Sequence, residues 1–180
     1  GKNVILVFPQ GPRNASDSGC GKLEDPDGLK ELTTEVINRL RADGKTTATA
    51  PGRIVLSGHS GAYLVIGKAL QHGGLEDHIS EVYLLDASYG QLDQFAAWGQ
   101  RHPTGRLRSI FTEHLAPENV ELMAMFDDAR IAYRLTTDGS AAGDAALAAP
   151  RTFVYTTKRD HNACRELLGP WLAASGLEVG

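Results

Sequence analysis

A serine flanked by small residues lies in a segment of this sequence whose pattern favours nucleophilic chemistry. Ser60 is the fourth residue of the hexapeptide SGHSGA at residues 57–62, which follows an apolar run and precedes a mostly apolar helical one. A strand that turns so sharply into a helix exposes the residue at the turn, and the residues two before and two after it must be small. Gly58 and Ala62 meet that requirement. The placement predicts that Ser60 is a nucleophile.

A serine hydroxyl is a poor nucleophile until a base takes its proton, so a histidine must approach Ser60 and a third group must orient that histidine. Six histidines compete for this role. His59 lies within the turn itself, and we expect its side chain to point away from Ser60. Three others sit at helix ends or in loops after helices, where histidines are more often solvated than catalytic: His72, His78 and His102. His161 follows the last predicted strand and precedes the last predicted helix.

The segment at Ser60 resembles the nucleophile turn of the α/β-hydrolase superfamily, G-x-S-x-G, with Ala62 in place of the second glycine. The resemblance covers nearly the whole chain in the order of its elements, although the first strands of the usual sheet are missing. It implies an α/β fold, a Ser60 nucleophile and a base at His161, which stands where the superfamily has its histidine. The alternative for His161 is a polar residue that caps the last helix.

The resemblance also implies two backbone donors for the oxyanion of a tetrahedral intermediate. One is the N–H of Gly61, the residue after the nucleophile. The other belongs to the loop at residues 8–12, after the first predicted strand, where the two prolines have no N–H and Gln10 or Gly11 remains. A His-Gly pair is usual at this point, and Gln10-Gly11 replaces it here.

Two acids at strand ends compete to orient His161. The superfamily usually carries this acid after the strand that the resemblance matches to Glu113, and a minority, including lipases similar to the pancreatic type, carries it one strand earlier, at Asp86. Asp86 directly ends an apolar strand, where a merely solvated carboxylate has little reason to sit, whereas Glu113 adjoins a proline-containing loop suited to a helix start. We therefore predict Asp86 as the acid, with Glu113 as the alternative. Asp138 follows a long predicted helix, and we expect it at the opposite edge of the sheet.

Short apolar runs alternate with helical periodicity along the chain, which is typical of a parallel sheet covered by helices. The predicted strands are 4–8, 53–56, 81–85, 107–111 and 152–156. The predicted helices are 25–44, 62–70, 91–101, 118–135 and 163–172. Ligands of such sheets bind beyond the carboxyl ends of the strands, where all the candidate residues lie. Residues 91–104, with Phe95 and Trp98, are a candidate cap over the site.

The 180 residues fit one domain, residues 1–180, and 42% hydrophobic with 22% charged residues is typical of a globular protein. A net charge of −4 without a run of Lys or Arg argues against nucleic acid as a partner. The longest apolar run has five residues, too few for a membrane span. No cofactor is implied, and no His, Cys or acidic spacing predicts a metal. Cys20 and Cys164 are interpreted as unreactive thiols, with a disulfide between them as the alternative hypothesis.

These residues together predict acyl transfer to water through an acyl-enzyme, with a small-molecule carboxylic ester as the expected substrate. An amide or peptide substrate, or transfer of the acyl group to another acceptor, would use the same residues. A catalytically silent domain of the same fold, used only for binding, is the alternative from another class. The sequence leaves the acyl group, the leaving group, the oligomeric state and the cellular compartment open.

Overall fold

The computed structural model describes residues 3–13, 18–138 and 148–179. Its sheet has five strands: β1 (Ile54–His59), β2 (Ile79–Leu85), β3 (Arg106–Phe111), β4 (Arg134–Thr137) and β5 (Arg151–Tyr155). All neighbouring strands pair in parallel, in the order β1-β2-β3-β5-β4. Every strand therefore ends at the same edge of the sheet, and residues that directly follow strands are gathered there.

Helices of the described residues flank the sheet: one precedes β1, three lie in the connections between β1 and β4, and one follows β5. They are α1 (Gly28–Ala42), α2 (Tyr63–His72), α3 (Leu92–Arg101), α4 (Ala116–Asp128) and α5 (Leu168–Ala173). The predicted α/β class, a mostly parallel sheet flanked by helices, is confirmed. Within the described residues, no helix has both the length and the apolar character needed to cross a bilayer.

The sheet separates two apolar clusters because successive side chains of each strand point to opposite faces. On one face, α2, α3 and α4 cover strand residues such as Leu84 and Leu107. On the other face, Trp171 of α5 packs against Tyr83, Ile110 and Val154. The three central strands are thus buried on both sides, which explains their continuous apolar runs.

The first predicted strand, residues 4–8, is wrong. The segment lies outside the sheet, in which β1 is an edge strand among the described residues, and its side chains are exposed, from 40% at Val7 to 88% at Phe8. Its start is tied to the other end of the chain, where the Asn3 N–H donates to the Glu178 carbonyl at 3.0 Å. An apolar run becomes a strand only where a neighbouring strand can pair with it, and residues 4–8 do not pair with the sheet.

The predicted long helix over 118–135 is also wrong at its end. It stops at Asp128, and Arg134–Thr137 forms the short, mostly exposed edge strand β4. Arg130 adopts a left-handed conformation with φ 56°, and the Ile131 N–H donates back to the Phe126 carbonyl at 2.8 Å. This pattern is a helix-ending motif that usually has glycine where Arg130 stands, so no residue at this position signals the end of the helix.

Helix α3 is not a cap over the carboxyl edge of the sheet. Phe95 and Trp98 are both fully buried in the larger apolar cluster, where Phe126 of α4 is also found. These two large aromatic side chains fill the space between the helices and the sheet.

The carboxyl end of α3 is held by a buried arginine from β5. Arg151 is 3% exposed, and its guanidinium donates to the carbonyls of Gly99, His102 and Pro103 at 2.5, 2.7 and 2.6 Å. The last carbonyls of a helix lack partners within the helix, so this planar fork satisfies several acceptors at once.

We predict that Arg151→Lys lowers the free energy of unfolding by about 2–3 kcal/mol, because one ammonium cannot reach all three buried carbonyls. Urea denaturation followed by circular dichroism measures the change. The matched control is Arg39→Lys, whose side chain is 79% exposed and which we expect to be neutral. Equal effects of the two substitutions would contradict this account.

Candidate active site

Ser60 lies in a strained turn at the end of β1. Its φ is 55°, a left-handed conformation that non-glycine residues rarely adopt. A Cβ added at Gly58 would lie 2.6 Å from Ile66 Cδ1 and 2.7 Å from Ala62 Cβ, so only glycine fits there. The size requirement predicted from the sequence thus has a steric origin: the helix begins directly against the strand it follows.

Asp86 occupies the equivalent place on the neighbouring strand. His59 pairs with Leu85 in the sheet, so Ser60 and Asp86 leave β1 and β2 side by side. Asp86 also has a positive φ, 50°, and it is 0% exposed. Its carboxylate accepts hydrogen bonds from the Thr112 N–H at 2.8 Å and the Thr112 hydroxyl at 3.2 Å. A buried charge needs such partners, and they fix its orientation.

His161 supplies the remaining hydrogen bond to this carboxylate. Its Nδ1 donates to Asp86 Oδ2 at 2.7 Å, although the two residues are 75 positions apart in the sequence. With Nδ1 as the donor, Nε2 of the neutral ring carries a free lone pair, which is the form that a general base requires. The imidazole is 37% exposed, so Nε2 is accessible to a substrate.

The loop that carries His161 is braced by an ion-pair network. Arg159 donates to Asp138 Oδ2 at 2.8 Å and to Glu166 Oε2 at 2.7 Å, and the Thr156 hydroxyl donates to Asp138 at 3.2 Å. Asp138 follows the edge strand β4, opposite β1, as expected for this residue. Its contact with the histidine loop shows a positioning role that the sequence did not indicate.

His59 contacts His161 from the nucleophile turn. The two rings are 4.4 Å apart between centroids, and His59 Nε2 donates to the His161 carbonyl at 2.8 Å. Burial lowers the pKa of His59 below its ordinary value, and the hydrogen bond to this carbonyl opposes the effect. His59 is therefore a neutral support for His161, a contact that local sequence patterns could not reveal.

Tyr89 lies over the other side of the site. Its ring meets the His161 ring edge-on, with 6.3 Å between the centroids. Burial raises the pKa of Tyr89, and the charge of Asp86 adds to this, while the nearby Ser60 side chain opposes it. Among the described residues, no hydrogen bond joins the Ser60 hydroxyl to His161, whose Nδ1 is bonded to Asp86.

The remaining predicted site residues are the alternative acid, Glu113, and the predicted oxyanion donors, Gly61 and Gln10 or Gly11. Glu113 is exposed and lies in a short 3-10 turn, without the bond to His161 that Asp86 makes. Gly61 is the second residue of the short 3-10 turn Ser60–Ala62 that leads into α2, where N–H groups lack intrahelical acceptors. Gln10 and Gly11 line a cavity of about 210 Å³ beside α1. The residue packed on Gly61 is Ser18, whose hydroxyl would lie 2.0 Å from a Cβ added there.

Both cysteines are free, so the hypothesised disulfide is absent. Burial raises the pKa of the Cys164 thiol to about 12, and the charge of Asp86 contributes. Burial and the charge of Glu24 raise the pKa of Cys20 as well. Both thiols thus stay protonated at neutral pH, in the form that reacts poorly.

No group of three or more His, Cys, Asp or Glu side chains within residues 3–13, 18–138 and 148–179 is arranged to hold a metal ion. Comparisons with protein-family models, with curated proteins and with solved structures find no match to this chain. The arrangement of Ser60, Asp86 and His161 is therefore the feature of this chain that bears on its function.

The lowered pKa of His59 predicts a pH dependence of stability. The unfolded chain binds a proton at the ordinary value of 6.5, whereas the folded chain binds it only at lower pH. Stability is therefore fully present above about pH 6.5 and is lost as the pH falls toward the folded pKa. We predict that His59→Gln, which keeps a donor for the His161 carbonyl, reduces the drop in Tm between about pH 7 and about pH 5.

Thermal unfolding of wild type and variant at both pH values measures this effect. The exposed His114 offers a matched control, since His114→Gln should keep the wild-type pH dependence. A drop in Tm that His59→Gln leaves unchanged would show that His59 does not titrate as described.

Proposed function

We propose that this protein is a serine hydrolase that cleaves carboxylic esters through an acyl-enzyme. The observation that carries the proposal is the 2.7 Å hydrogen bond from His161 Nδ1 to the buried Asp86 carboxylate, at the sheet edge where Ser60 leaves β1. An acid, a histidine and a serine in this order are the parts of a charge-stabilised general base and its nucleophile.

In the first half of the reaction, the Ser60 hydroxyl turns to His161. Nε2 of His161 takes the proton as Oγ attacks the substrate carbonyl, and the Asp86 carboxylate stabilises the imidazolium that forms. The oxyanion is stabilised by the Gly61 N–H, with Gln10 or Gly11 as the predicted second donor.

The intermediate then collapses: the bond from the carbonyl carbon to the alcohol oxygen breaks, His161 gives its proton to that oxygen, and the alcohol leaves while the acyl group remains on Ser60. The second half removes the acyl group. Water then enters, His161 takes a proton from it, and the hydroxide attacks the acyl carbonyl. Collapse of this second intermediate returns the proton to Ser60 and releases the acid. The 37% exposure of the His161 side chain supports this role, because water must reach Nε2.

We predict that wild type hydrolyses p-nitrophenyl acetate and is labelled by a fluorophosphonate probe at Ser60, and that Ser60→Ala abolishes both. Only an activated serine reacts with such a probe. Ser57 is an exposed serine on the same strand, so Ser57→Ala is the matched control and should keep full labelling. A wild-type protein that neither hydrolyses esters nor takes up the probe would refute the proposal.

The choice of acid gives a second test. We predict that Asp86→Asn lowers turnover by up to about 10⁴-fold, since the amide cannot stabilise the imidazolium. Glu113→Gln should leave turnover within about twofold, because this side chain is exposed. Steady-state kinetics on both variants, with circular dichroism as a check on folding, decides between them. A large loss confined to Glu113→Gln would move the acid to β3.

A further inference from the structure

A buried polar network adjoins the loop that carries Asp86. Its members are Ser88 in that loop, Ser109 in β3 and Asn119 in α4, and each is 0% exposed. The Ser109 hydroxyl donates to Asn119 Oδ1 at 2.7 Å, and the Ser88 oxygen lies 3.2 Å from the Ser109 oxygen and 3.4 Å from Asn119 Oδ1. The Asn119 amide group donates to the Leu115 carbonyl at 2.8 Å. Both hydroxyls and the amide oxygen thus have partners.

The surroundings of this network are apolar. On the covered face of β3, Ser109 stands between Leu107 and Phe111, which belong to the larger apolar cluster. Asn119 shares the buried side of α4 with three apolar residues, Leu122, Met123 and Phe126. A buried polar side chain costs free energy unless it is hydrogen-bonded, whereas a fully bonded network fixes one arrangement of the elements that it joins.

The elements joined by Asn119 are the two that hold the acid. Ser88 follows Asp86 by two residues, and Leu115 ends the short 3-10 turn that directly follows Thr112. The Leu115 N–H donates to the Thr112 carbonyl at 3.1 Å, and the Thr112 N–H donates to the Asp86 carboxylate at 2.8 Å. Asn119 is therefore connected to the loop after Asp86 through Ser88, and to the turn after Thr112 through Leu115.

The backbone at Asp86 requires support of this kind. Its φ of 50° is a strained conformation, which persists only where the surrounding structure holds it. Before the turn, the Asp86 N–H donates to the Ile110 carbonyl at 2.8 Å and so extends the pairing with β3. After the turn, Ser88 is bonded to Ser109, whose partner in the sheet is Leu84, so the chain has turned back beside β3. The network holds this returning part of the loop.

We propose that Asn119 is a positioning residue that acts through Ser88 and holds the Asp86 carboxylate in the orientation in which it accepts the hydrogen bond from His161. This inference rests on the proposed function. The acid contributes by stabilising the imidazolium that forms when His161 takes a proton, and this contribution depends on the direction of the carboxylate. A small displacement of such a group costs rate without weakening the binding of substrate.

The test compares Ser88→Ala, Asn119→Ala and the double variant on p-nitrophenyl acetate, with circular dichroism as a check on folding. We expect each single variant to lower kcat by about 10-fold and to leave KM within about twofold. The double variant should lose no more than the larger single loss, because the two residues act through one connection. Ser88→Ala leaves the bond between Ser109 and Asn119 in place, so it carries the test alone should Asn119→Ala not fold.

A second comparison separates positioning of the acid from general support of the fold. In an Asp86→Asn background, Ser88→Ala should lower the remaining kcat by less than about twofold, because the carboxylate that the network positions is gone. The matched control is Met123→Val, which removes packing from the same buried side of α4 and should destabilise the protein while leaving kcat unchanged.

Four results would overturn this inference while the hydrolase proposal stands. They are an unchanged kcat in Ser88→Ala, a full further loss in the Asp86→Asn background, losses that multiply in the double variant, and an equal loss in Met123→Val. Each would mean that the network only stabilises the fold or that Asn119 does not act through Ser88. A wild-type protein inactive on every ester and unlabelled by a fluorophosphonate would instead overturn the hydrolase proposal, and this inference with it.

Discussion

The buried carboxylate of Asp86 connects the ends of three strands, β2, β3 and β5, at the carboxyl edge of the sheet. Asp86 follows β2, Thr112 follows β3 and His161 belongs to the loop after β5, and each of the latter two donates to the same carboxylate. An isolated charge in this position, 0% exposed, would be strongly destabilising. The loops at Thr112 and His161 must therefore hold their donors in place, and the same requirement that satisfies the charge orients the imidazole.

The parallel sheet brings Asp86, Thr112 and His161 together although they are far apart in the chain. Leu85 pairs with Ile110, and Ile110 pairs with Val154, so the ends of β2, β3 and β5 are level with one another. Arg159 then ties the loop after β5 to Asp138, beyond the edge strand β4. His161 is thus held through its bond to Asp86 and through the bracing of its loop by Arg159, while 37% of its side chain remains exposed.

The strands and helix ends that were predicted correctly from the sequence are those that depend on local features of the chain. The central strands are continuous apolar runs because both faces are covered, and α1 ends near Gly44, whose φ of 67° suits glycine. Residues 4–8 are equally apolar but are not covered on both faces. Whether such a run forms a strand depends on whether the rest of the fold places another strand beside it. Arg130 ends α4 in a left-handed conformation that is more usual for glycine, and an arginine gives no local indication that the helix ends there.

The same division applies to the site. Ser60 and Asp86 were predictable because each directly follows a strand and because small neighbours mark the turn at Ser60. The sequence favoured Asp86 over Glu113 as the acid but left Glu113 as an alternative. What distinguishes the two in the structure is the hydrogen bond between Asp86 and a histidine 75 residues away, which sequence patterns do not reveal. His59 and Tyr89 were not predictable as neighbours of His161. Their contacts depend on side-chain directions in loops, for which periodicity gives no information.

Backbone strain links these residues to the chemistry proposed for them. Ser60 and Asp86 both have left-handed φ values, 55° and 50°, and each such residue costs of the order of 1 kcal/mol or more. Different contacts hold the two: crowding between Gly58 and Ala62 fixes the turn at Ser60, and the Thr112 and His161 donors fix Asp86. Extended conformations would carry both side chains on along their strands. The left-handed turns instead direct both side chains away from their strands, and the carboxylate is buried where it accepts the hydrogen bond from His161. The strained residues are therefore the two to which we assign the nucleophile and the acid.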